Sequence, residues 1–317
     1  MLRKVVQHGP STMTVSLPIK WVKENHVQKG DELVISEENN RVVIGTQRKA
    51  KKNNITIDIT NLNRNTIMFY LRSLYRQGLD EIEIYFENTE TIYYDTGKQV
   101  KVISTIHQEV NRLIGFEVTQ EKDQHITIAD LSGTSDSEIE PIIKRIFYLM
   151  NDAIDESIIG MRNKNYKLLD SIEEKHNTIT KFISYCLRMI NKKPNSGKCV
   201  TGAYHTLCSF DVTADMMKYF VRHVVQAKQE FSKEGIAILE DISKLSEMTK
   251  DIFFKLDLQK VKLFMKKRAE VKRKINIFTR RKDFEATLIA YMTPTVEIFR
   301  DLVETKMSTT DITEVKE

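Results

Sequence analysis

The chain has 317 residues, with 49 Lys and Arg against 44 Asp and Glu, 41% hydrophobic residues, 11 Gly, 5 Pro and 3 Cys. That length predicts two or three domains at roughly 100 to 200 residues each. No apolar run approaches the ~18 residues of a membrane-spanning helix, and Met1-Leu2-Arg3-Lys4 opens no apolar leader, so spanning and secreted classes are disfavoured and a cytoplasmic location is expected.

Cys186, Cys199 and Cys208 are odd in number and irregularly spaced, which suits neither a disulfide framework nor a zinc ribbon and predicts reduced core thiols. The placement of charge says more than its total. Residues 1–54 hold 10 Lys and Arg against 5 Asp and Glu, and residues 260–282 hold 11 against the single Glu270. Such asymmetry points to contact with a nucleic acid or an acidic surface, in competition with a solvated helix face.

Val5 and Val6, then His8-Gly9-Pro10-Ser11, then Met13, Val15 and Leu17 alternating with polar residues, predict a strand, a turn and a strand. Pro18 suits the first turn of a helix over Ile19 to Asn25, because its missing N–H would be unpaired there anyway. After a turn at Lys29-Gly30-Asp31, Glu32 to Ser36 and Arg41 to Thr46 predict a hairpin closed at Glu38-Asn39-Asn40. A unit of this size buries too little apolar surface alone and must dimerise or dock.

The run Arg3-Lys4-Val5, Gly9, Ser11-Thr12, Val15-Ser16-Leu17-Pro18, Trp21 and Lys29-Gly30-Asp31-Glu32-Leu33 resembles the AbrB/SpoVT swapped-hairpin family of transcription regulators. The resemblance implies two chains interleaving their hairpins and a basic face on DNA, carried at the matching positions by Arg3, Lys4, His8, Ser11, Lys20 and Lys23. The N-terminal charge excess agrees, since each neutralised phosphate releases counterions and adds affinity without specificity. A module used only for dimerisation is the competing expectation. Residues 47–54 are predicted to be a basic linker.

Over 55–132 the order strand, helix, strand, helix, strand, strand predicts a small α/β sandwich. Ile55, Ile57 and Ile59 alternate with polar residues, Asn65 is the expected cap of a helix running to Gln77, and a second helix is expected from Lys98 to Ile114. No phosphate loop of the GxxxxGK[ST] or GxGxxG kind is present. The sandwich is expected to act as spacer or oligomerisation element, with a small regulatory ligand as the alternative.

From 136 to 305, apolar residues recur at three- and four-residue steps, predicting helices near 139–161, 167–192, 201–231, 235–256, 258–280 and 283–305. Two sets of three imply a duplicated three-helix bundle. Asp211 and Asp215 in the third helix and Glu297 and Asp301 in the sixth, 86 residues on, each place two carboxylates on one helix face where they can reach one cation.

That ordering resembles the PhoU family, whose duplicated acidic motif implies metal ligands at Asp211, Asp215, Glu297 and Asp301, with Glu173 and Asn177 added from the second helix. Oxygen donors suit Mg, Mn, Fe or a similar di- or trivalent ion rather than structural zinc. The motif's usual Arg is Val212 and Ile298 here, and the second repeat faces the lysine-rich helix with only Glu270 to offer. Residues 306–317 are expected to be a disordered tail.

The fold class predicted is therefore α+β and multidomain: a swapped-hairpin β domain, a small α/β sandwich and an all-α, PhoU-like double three-helix bundle. The fusion resembles the two-part phosphate uptake regulators of archaea. That implies a non-enzymatic, homodimeric, phosphate-responsive transcription regulator that binds DNA and a metal ion. The alternative is a cytoplasmic adaptor that restrains a phosphate transporter subunit by protein contact.

Overall fold

The computed structural model describes residues 2–38, 41–46, 52–132, 139–192 and 197–310. The chain divides into two compact units, Met1–Lys52 and Asn53–Glu317.

In the first unit, β1 (Val5–Gln7) pairs antiparallel with β2 (Met13–Val15), Val5 opposite Val15, across a turn where Gly9 takes φ +77°. Helix α1 (Ile19–Glu24) follows, with Pro18 as its extended N-cap rather than inside its first turn. Strand β3 (Leu33–Glu38) pairs with β4 (Arg41–Thr46) as a separate two-stranded ribbon. None of the described residues of this unit is buried. Val6, Met13, Val15, Ile35 and Val42 are at least half exposed. Two isolated ribbons and one short helix give each other no interior. Of the predicted linker, residues 47–51 lie outside the described residues, and Asn54 already opens the next strand.

The second unit begins with an α/β lobe built from β5 (Asn54–Asp58), α2 (Arg64–Arg76), β6 (Glu81–Tyr85), β7 (Glu90–Tyr93), β8 (Lys98–Lys101), α3 (Val102–Val110), β9 (Phe116–Lys122) and β10 (His125–Asp130). The main sheet has the order β5-β6-β10-β9, parallel only between β5 and β6. Alternation decides its faces: Ile57, Ile82, Ile84, Ile126 and Ile128 pack on the helices, while Thr56, Glu83 and Tyr85 point away from that core.

Two local expectations change. Asn63, not Asn65, caps α2, its side chain accepting from Thr66 N at 3.1 Å. The helix expected from Lys98 starts only at Val102, because Lys98–Lys101 pairs with Glu90–Tyr93 around a turn closed by Gly97 at φ +67°.

The helices are α4 (Ile139–Arg162), α5 (Tyr166–Asp170), α6 (Ile172–Lys192), α7 (Gly197–Ala227), α8 (Lys233–Phe254), α9 (Leu258–Phe278), α10 (Phe284–Tyr291) and α11 (Thr293–Thr309). Two of the six expected helices are broken, one at Ser171 and one at Met292, where Pro294 opens the next helix. One continuous apolar core, from Ile143 through Phe220 and Leu245 to Val303, runs through both three-helix sets. Residues 306–309, expected in the disordered tail, complete α11, and 311–317 lie outside the described residues.

The boundary expected at 132–136 separates two lobes rather than two independent bodies. Arg188 on α6 is 2% exposed and reaches into the α/β lobe. It donates to the carbonyls of Tyr75 (3.0 Å) and Leu79 (2.6 Å) and to Asp130 (2.8 Å). Its guanidinium lies 4.9 Å from the ring centres of both Tyr75 and Phe116. Lys192, one turn on, adds a 2.5 Å bridge to Asp80. Cys186 on the same helix is buried among apolar neighbours, which pushes its thiol up to about 12. Cys208 is also free, and the side chain of Cys199 lies outside the described residues.

Candidate nucleic-acid interface and carboxylate faces

In the first unit, Arg3 and Lys4 lead into β1, His8 and Ser11 flank the β1–β2 turn, and Lys20 and Lys23 sit three apart on α1; all six are exposed. The His8 backbone N–H donates to the Thr12 carbonyl at 2.7 Å, which shapes the turn. Lys20 makes a loose 3.8 Å pair with Glu24, and among the described residues no ion pair engages Arg3, Lys4 or Lys23. Solvated, unpaired cations keep their full charge for a polyanion, and their exposed stems can follow a phosphate backbone.

The six metal-ligand candidates behave differently. Asp211 accepts from Arg76 of the α/β lobe at 2.9 Å, and Arg76 also donates to Ser184 at 3.0 Å. Asp215 accepts from His176 Nε2 at 2.8 Å and from Lys218 Nζ at 2.5 Å. Burial alone would raise the Asp215 carboxyl, but these two donors and the Lys218 charge outweigh it and hold the group far below the usual carboxylate range. Glu173 takes both donors of the Arg222 fork, at 2.6 and 2.9 Å. Asn177 lies between Glu173 and Thr180 on α6, where its backbone carbonyl accepts from Thr180 Oγ1 at 3.2 Å.

In the second repeat, Glu297 is held by Arg268 and by Lys272 at 2.7 Å. The Lys272 hydrogen bond is the main reason its carboxyl titrates low. Asp301 pairs with its neighbour Arg300.

The structure thus brings Asp211 and Asp215 to one face, as their spacing requires, but surrounds that face with cations. Arg72, bound to Glu109 through two hydrogen bonds of 2.7 and 2.9 Å, and Arg112, which donates to Thr180 at 3.1 Å, join Arg76 there. Among the described residues no three of His, Cys, Asp and Glu gather where they could hold a metal ion. A divalent ion would have to displace a guanidinium or ammonium from each carboxylate it used. The donor set as placed does not fit the metal that the resemblance implies.

Sequence reasoning missed Arg72, Arg76, Arg112, His176, Lys218 and Arg222. Arg72 and Arg76 carry a signal in retrospect, since an i, i+4 basic pair on α2 mirrors the i, i+4 acidic pair on α7. Their meeting across 135 residues of chain, from Arg76 to Asp211, is not readable from either helix alone.

Compared with known proteins, residues 7–55 match the family model of MazE, described as a bacterial antitoxin for antidote-toxin recognition. The first unit is therefore similar to a MazE/AbrB-like domain over nearly its whole length. Among solved structures, a PhoU-like protein from Shewanella oneidensis MR-1 aligns at 10% identity with a TM-score of 0.40, covering 54% of this chain and 95% of that one. No curated protein matches.

Proposed function

We propose that this chain is a regulator that binds DNA as a homodimer through its first unit, and whose second unit supplies the response to a cellular signal. The observation that carries the reading is the first unit itself. Its described residues combine a lack of any buried side chain with unpaired surface cations. A second copy interleaving its ribbons supplies the missing interior, and Arg3, Lys4, His8, Ser11, Lys20 and Lys23 then recur on both protomers. The MazE match over residues 7–55 supports this use of the module.

The protein acts by binding rather than turnover, in the cytoplasm, and the PhoU resemblance makes phosphate status the signal to test first. Among the described residues no helix is long and apolar enough to cross a membrane.

The test is duplex binding by fluorescence anisotropy at two salt concentrations, with and without inorganic phosphate. Replacing Arg3 and Lys4 by Ala should weaken binding and flatten the dependence of log affinity on log salt by about 0.9 for each phosphate left without its cation. Unchanged binding rejects the DNA face. A concentration-independent dimer with no DNA affinity leaves the transporter-adaptor reading in its place.

A further inference from the structure

Helix α9 carries two sets of cations that the structure treats differently. One set is paired: Lys267 and Lys274 both bridge to Asp241 at 2.5 Å, and Arg268 and Lys272 bridge to Glu297. The second set, Lys262, Lys266 and Arg273, is exposed, and no ion pair among the described residues engages it. Its members step by four and then seven residues, so they line one face of the helix over about 16 Å at 1.5 Å per residue. Lys262 and Lys266, four apart, repel one another along the helix. A helix that pairs four of its cations with Asp241 and Glu297 and leaves this exposed stripe unpaired leaves the second balance to a partner.

Apolar side chains interrupt this cationic stripe. Leu263, Met265 and Ile277 are 58%, 44% and 54% exposed. Between α9 and α8 lies an open groove of about 340 Å³ lined by Met248 and Leu263, three lysines, Lys244, Lys266 and Lys267, and one acid, Glu270. Flexible methionine and leucine on a groove floor suit another apolar surface rather than a sugar-phosphate backbone. Three lysines against the single Glu270 suit carboxylates flanking that surface. An amphipathic helix laid in a groove has this arrangement of apolar anchors at three- and four-residue steps with charges at their sides.

We propose that the α8–α9 groove is a docking site for an acidic amphipathic helix of a partner protein, its apolar stripe seated on Met248 and Leu263 and its carboxylates on Lys244, Lys262 and Lys266. The proposal is independent of how the first unit binds DNA.

The experiment uses the full-length protein and a fluorescein-labelled 18-residue helical peptide with Leu at i, i+3, i+7 and i+10 and Glu elsewhere on the flanks. A second peptide of the same composition has the Leu periodicity scrambled. The amphipathic peptide should bind at least ~10-fold tighter than the scrambled one, the margin that apolar anchoring adds to charge. Leu263→Ser should remove most of that margin, and Lys266→Glu should weaken binding of both peptides, while circular dichroism stays unchanged at these two exposed positions. Equal binding of the two peptides overturns the proposal, as does indifference to Leu263→Ser. Tighter Lys266-dependent binding to a 20-base-pair duplex or to phosphatidylserine vesicles than to the amphipathic peptide overturns it too.

Discussion

Replacing Arg188 by Met tests whether one buried guanidinium holds the two lobes of the second unit together. Met keeps the unbranched apolar stem against Tyr75 and Phe116 and removes the donors. The Tyr75 and Leu79 carbonyls then lose partners at 3.0 and 2.6 Å, and Asp130 loses one at 2.8 Å. Deleting one partner of a buried ion pair costs about 3–5 kcal/mol, because the remaining groups stay desolvated. Lys192 still reaches Asp80 at 2.5 Å and Asp130 at 3.6 Å, and Ser132 still donates to Asp130, which places the cost near the lower end, about 3 kcal/mol.

In urea, with a slope of about 3 kcal/mol per molar, that is a midpoint shift of about 1 M. Arg188→Lys, which keeps charge but not the fork, should fall between. Hydrogen exchange should quicken first at amides where α2 meets α6. A shift below about 0.2 M with unchanged exchange would refute the claim that Arg188 joins the lobes.

Further outcomes follow from the same ion pairs and from the exposed first unit. Asp215, Asp241, Asp80 and Asp130 all titrate below their ordinary value, in each case because donated hydrogen bonds and nearby cations outweigh burial. A depressed carboxylate contributes stability above its unfolded pKa of about 3.9 and loses it as pH falls toward the folded value. Melting temperature should therefore be flat near neutrality and drop below about pH 4, and Asp215→Asn should make that acid limb shallower; an unaltered limb would count against the His176–Asp215–Lys218 cluster. Elemental analysis of purified protein should find no stoichiometric metal, and EDTA or added Mn should leave the melting temperature unmoved. One bound ion per carboxylate pair would overturn the ion-pair assignment. Val15→Glu should convert the dimer to monomer in light scattering, because it puts a charge where the second copy must bury a methyl pair; a persisting dimer would place the interface elsewhere.

Much of the fold was legible because it is periodic. The alternation from Ile55 to Ile59 and the three- and four-residue steps from Ile139 to Met161 state their elements outright. Breaks were less legible. Tyr93 to Gly97 makes a turn that only its pairing partner reveals, and Asn63 outcompetes Asn65 as cap by a geometric margin that composition does not encode. At the carboxylate faces, spacing puts Asp211 with Asp215 and Glu297 with Asp301 on shared helix faces. What faces them was not readable, because Arg76, Lys218 and Arg268 reach them from other elements or from one turn away. Spacing along one helix reports which groups can act together, and only the packing of a second helix decides whether a cation is already there.

The coreless first unit has a consequence for how the protein responds to its own abundance. If strands and helix acquire an interior only on meeting a twin, then folding and assembly of this segment are a single event. At low concentration the population able to grip an operator rises with the square of the number of chains. On the proposed DNA-binding reading, gene-dosage changes alone then move operator occupancy along a steep curve.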